Sequence, residues 1–98
     1  MMSQKVARIV SAEESDIHDE PHVKGSRITV KYIYDRVVGR GLKPETVADR
    51  HDLPAARVYE AVAYYYNNPE EMRRVEERHE KAVEEAERKT TISPKDEE

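Results

Sequence analysis

Arg27, Lys31, Arg36, Arg40, Lys43, Arg50 and Arg57 recur through the middle of this 98-residue chain. Guanidinium and ammonium groups at such spacing can meet phosphate through charge and through N–H donors. Arg27, Lys31, Arg40, Lys43 and Arg57 are the candidates for contact with a DNA backbone. A base-reading surface is thinner, because the exposed face of the expected third helix offers chiefly Arg57, Tyr59 and Glu60. His18 and His22 stand among Asp16, Asp19 and Glu20, but with no helix to set their geometry and no Cys in the chain they read as a solvated acidic turn, and no metal or cofactor is assigned. No Ser, His and acid constellation stands out, so the chain is read as non-enzymatic. Six tyrosines occur without Phe or Trp, three of them consecutive at Tyr64, Tyr65 and Tyr66. Tyr65 falls on an apolar helical stripe. Its neighbours Tyr64 and Tyr66 project to either side and suit either polar-tipped core aromatics or a dimer interface.

The elements that must carry these groups follow from periodicity. In "GSRITVKYIYDRVVGRGL", Val30, Ile33, Tyr34, Val37 and Val38 recur at helical spacing, Thr29 is placed to cap the start, and Gly39 or Gly41 can end the helix. A second helix is expected from Pro44 to about His51 and a third from Pro54 to about Asn67, with Val58, Ala61, Val62 and Tyr65 on one stripe. An anchoring helix, a short helix, a tight turn and a longer helix form the outline of a helix-turn-helix. Before them, Lys5–Ser11 reads as a strand, with an extended partner near His22-Val23 and Arg27-Ile28. So small a ribbon must pack on the helices or pair with a second chain.

Residues 69–98 differ in kind, carrying seven basic and eleven acidic side chains out of a chain net charge of −4. Met72, Val75, His79, Ala82, Val83 and Ala86 form a narrow apolar stripe, flanked by Glu-to-Arg/Lys pairs at i, i+4. A long helix to about Lys89 is expected, followed by a disordered tail. Its stripe suits a coiled-coil seam or a partner-binding face, with Met72, Val75, His79 and Val83 as the contact residues. The chain thus divides at Asn68 into a ribbon-plus-helices domain, 1–68, and a charged helix and tail, 69–98. With no signal-like or membrane-length apolar run and no Cys, it reads as a cytoplasmic protein without membrane association.

"GSRITV" and "GLKPETVADRHDLPAARVYEAVAYYY" together resemble the two ordered sequence blocks of the DUF433 family, over roughly residues 6–68. The resemblance implies a mainly α protein, with a small N-terminal β-ribbon and a homeodomain-like or winged helix-turn-helix, usually a homodimer. Many members are classed as VapB-type antitoxins found beside PIN-like ribonuclease toxins. The family's Gly-Gly-x-Pro stands here as His18-Asp19-Glu20-Pro21, which puts a backbone-mediated contact there in doubt but not the fold. The functional expectation is therefore an antitoxin of a type II toxin-antitoxin system that binds operator DNA and neutralises a PIN-like toxin. The rival is a dimeric protein-interaction scaffold whose helix-turn-helix does not bind DNA.

Overall fold

The computed structural model describes residues 9–15 and 20–97, with side chains to Lys89. The expected strand residues 5–8, and Asp16, His18 and Asp19, lie outside the described residues. The chain is mainly helical, with a two-stranded antiparallel ribbon at its N-terminal end and a long C-terminal helix.

β1 (Ile9–Val10) pairs with β2 (His22–Val23), with Ile9 opposite Val23 and Val10 opposite His22. The ribbon is tied to the helices rather than left alone. Val23 N–H donates to the Ile28 carbonyl at 2.9 Å across a turn where Gly25 takes φ +82°, and Val30 N–H donates to the Pro21 carbonyl at 3.0 Å. α1 (Val30–Tyr34) starts where Thr29 Oγ1 accepts from Tyr32 N–H at 3.1 Å. It then widens into a π-helical turn over Asp35–Gly39, closed by Arg40 N–H on the Asp35 carbonyl at 2.9 Å. The wider turn rotates the following residues off the 3.6-residue stripe. Val30 and Ile33 are therefore buried, whereas Val38, expected on the same face, is 42% exposed. The chain leaves through Gly41, at φ +74°.

α2 (Pro44–Arg50) and α3 (Ala55–Asn67) meet across a tight turn. Leu53 N–H reaches back to the Ala48 carbonyl at 2.9 Å and Asp52 N–H to that of Asp49 at 3.3 Å, the bond pair of a Schellman ending. Asp52 occupies its left-handed position at φ +56°, where glycine is the usual choice. α4 runs from Pro69 to Glu97, past Lys89, where periodicity stops it.

The core consists of Val23, Val30, Ile33, Val47, Ala48, Val58, Ala61, Met72 and Val75. Two of these come from α4. This corrects the expectation that Met72 and Val75 contact a partner: each is 1% exposed, and they complete the same core as α1, α2 and α3. Each such side chain contributes about 1.5–3 kcal/mol by leaving water. No helix among the described residues is long and apolar enough to cross a membrane.

Candidate partner-binding surfaces

The seam between α3 and α4 is held by tyrosine hydroxyls donating to glutamates. Tyr64 OH donates to Glu71 Oε1 at 2.6 Å while Ala12 N–H donates to Glu71 Oε2 at 2.9 Å, so one carboxylate joins α3, α4 and the segment after β1. Burial, and then the Glu71 hydrogen bond, hold the Tyr64 hydroxyl far above its ordinary pKa. This places Tyr64 in an intrachain joint, as a polar-tipped aromatic, one of the two roles that the sequence leaves open for it. Beside it lies a polar cleft of about 460 Å³ lined by residues that include Ser11, Asn68, Arg74 and Arg78.

On the other flank, Tyr65 OH donates to Glu76 Oε2 at 2.9 Å, and burial followed by Glu76 raises its pKa. Tyr65 stacks on Tyr34 at a centroid distance of 3.5 Å with planes 3° apart. Tyr66 stands nearly perpendicular to both rings, at 5.7 and 5.9 Å, and is 59% exposed. Next to these rings a groove of about 360 Å³ is lined by Tyr65, Tyr66, Pro69, Met72, Arg73 and Glu76.

The five expected phosphate-contacting residues do not behave alike. Lys31 is engaged by Asp35 at 2.7 Å and Glu76 at 3.6 Å, with its side chain only 16% exposed. Burial alone would lower its pKa, but the Asp35 and Glu76 carboxylates outweigh burial and raise it. Arg57 is paired with Glu60 one turn along α3. Beside them Tyr59 donates to Glu45 at 2.7 Å, which holds the Glu45 carboxyl below its ordinary range. Arg27, Arg40 and Lys43 are exposed. Among the other middle cations, Arg36 covers the Tyr32 ring at 4.1 Å and Arg50 is exposed. Lys31 and Arg57 are thus withdrawn from the expected set in this conformation, because carboxylates one helical turn away capture them first.

The four residues expected to bind a partner also divide. Met72 and Val75 are sealed in the core, as above. His79 Nε2 lies 2.8 Å from Glu20 Oε2 and ties α4 to the chain just before β2, while Val83 is 55% exposed. From Glu77 to Lys89 every residue of α4 is exposed. His22, expected in a solvated turn, is instead buried in β2, with Nδ1 3.2 Å from Ser15 Oγ.

The whole is a small helical body with one helix projecting from it. The chain belongs to the DUF433 family, described as proteins of unknown function, whose model matches residues 13–65. The match ends at Tyr65, before α4 begins, so Met72 and Val75 complete this chain's core from outside the matched segment. No curated protein and no solved structure matches the chain.

Proposed function

We propose that this protein is an antitoxin-like, dimeric partner-binding protein, in which the body over β1 to α3 serves as a homeodomain-like helix-turn-helix and the projecting part of α4 engages a basic, PIN-like ribonuclease. The observation that carries the reading is the arm itself: thirteen consecutive residues, Glu77 to Lys89, exposed on all sides of one helix. A helix with no apolar side buried draws little stability from its own chain and gains order against a partner. The acid surplus of residues 69–98 suits a cationic surface that otherwise binds RNA phosphates. On the body, Arg27, Arg40 and Lys43 are the members of the expected set that are exposed and would face an operator.

A second reading, the dimeric scaffold without DNA binding, is favoured by one specific observation. The groups that would read bases from α3 are already engaged, Arg57 by Glu60 and Tyr59 by Glu45. One experiment separates the readings. The full chain is titrated onto a duplex of its own promoter region at increasing salt, and onto the nuclease encoded beside it. The antitoxin reading expects both to bind, with the DNA affinity falling steeply with salt and Lys43→Ala flattening that slope by about one unit. Nuclease binding without salt-sensitive DNA binding supports the scaffold. Binding to neither overturns both.

A further inference from the structure

Tyr66 and an apolar groove lie side by side on one face of the α3–α4 seam. Tyr66 is the most exposed of the chain's large apolar side chains among the described residues, and it stands at the edge of an apolar groove floored by Met72 and walled by Tyr65 and Pro69. A projecting ring and a recess that could receive one therefore lie side by side on one patch. That adjacency is what a two-fold interface requires, since each copy must present both the knob and the hole. The rim has the same property. Arg73 and Glu76 both line the groove, three residues apart on α4. Two such turns laid antiparallel would bring Arg73 of each copy towards Glu76 of the other, whose carboxylate already accepts from Tyr65 and faces Lys31.

We infer that the Tyr65–Tyr66–Pro69–Met72 groove is the contact surface for a second copy of this chain, with Tyr66 of each protomer seated in the groove of its partner. Tyrosine suits the role, because a rigid ring buries much apolar area at low entropic cost and keeps its hydroxyl at the wet edge. Tyr66 is held ready by Tyr34 and Tyr65, whose stacked pair it meets edge-on. Arg73 is bound within its own chain by Glu70 at 2.7 Å and Glu77 at 2.8 Å, but exposed pairs of this kind are worth little and exchange partners readily. Charge argues against a nucleic acid on this surface, since Glu70, Glu76 and Glu77 all belong to the α4 turns that border it. The inference rests on the dimeric part of the proposed function and locates it, keeping Tyr66 of the two tyrosines that the sequence offers for an interface.

The chain has no cysteine, so one introduced thiol reports directly on proximity. Ala63 is exposed, one turn before Tyr66 on α3. Ala63→Cys alters none of the groups invoked, and under mild oxidation it is expected to give a covalent dimer, whereas Asp49→Cys, at an exposed position of α2, is not. In sedimentation equilibrium the full-length chain is expected at twice 11.4 kDa. Tyr66→Asp is expected to raise the dimer dissociation constant about 30-fold or more, the loss typical of a central aromatic anchor, with the helical circular dichroism signal retained. A dimer indifferent to Tyr66→Asp and left uncrosslinked at Ala63→Cys overturns this interface and spares the dimeric reading. A monomer overturns both. A monomer whose Tyr66 resonances move on adding a single-stranded oligonucleotide overturns the inference in favour of a stacking site for bases.

Discussion

From Pro69 to Glu76, α4 keeps one side against the body: Met72 and Val75 are sealed, Glu71 accepts from Tyr64 and Ala12, and Glu76 accepts from Tyr65 and faces Lys31. From Glu77 to Lys89 the same helix, with the same mixture of acids, cations and small apolar residues, has no buried side. The two stretches teach that an amphipathic stripe tells where a helix can be covered and not by what. Its first half is covered by the chain itself, which makes it structure. Its second half is left open, and the His79–Glu20 contact ties back only its beginning.

Cutting the chain after Asn68 should have a larger effect than any single substitution. It removes two core side chains and the carboxylates that bind Tyr64 and Tyr65, so a cooperative thermal transition should be absent by circular dichroism. A truncated chain that melts like the full one would show that the core closes without α4. Met72→Ala probes the same half more gently and should cost about 2–5 kcal/mol in denaturant unfolding, because it leaves a cavity between α4 and α3.

Alkaline pH tests the tyrosine seam. Tyr64 and Tyr65 both have folded-state pKa values raised above the ordinary 10.0. The fold therefore holds the protons more tightly than the unfolded chain does. The resulting stabilisation is complete below about pH 10 and is lost as pH rises toward the folded-state values. The melting temperature should be level from about pH 7 to 9 and fall above about 10. Tyr64→Phe should make that fall shallower, and an unchanged fall would remove the Tyr64–Glu71 joint from the account.

How much of this was legible in the sequence depends on range. The Thr29 cap, Pro44 at the start of α2, the stop near Asn67 and the Val58–Ala61 stripe are decided within a turn or two, and each stands where periodicity and capping chemistry put it. The π-helical turn was not legible, because nothing in "DRVVG" marks an extra residue, and it moved Val38 out of the expected stripe. Met72 and Val75 were legible as apolar but not as core, since which surface covers them is settled by contacts with distant residues. Lys31 and Arg57 carried a discoverable signal in Asp35 at i+4 and Glu60 at i+3, the spacing at which a carboxylate reaches a cation on the same helix.

Smaller effects sharpen the contrast from its other side. Asp52→Gly should stabilise the body by about 0.5–1 kcal/mol by relieving a left-handed residue at the end of α2. Loss of stability on that change would mean the Asp52 side chain has a role its backbone angle does not reveal. Val83→Asp, on the open half, should shift unfolding by no more than about 0.5 kcal/mol, while reducing capture of the nuclease proposed as partner.

The division of α4 is tested most directly by amide hydrogen exchange on the intact, partner-free chain. The amides of Met72 to Glu76 should exchange only through global unfolding, and those of Glu80 to Lys89 at least about 100-fold faster through local opening. Equal protection along the whole helix would contradict the account, because it would mean the projecting half is held as firmly as the half that builds the core.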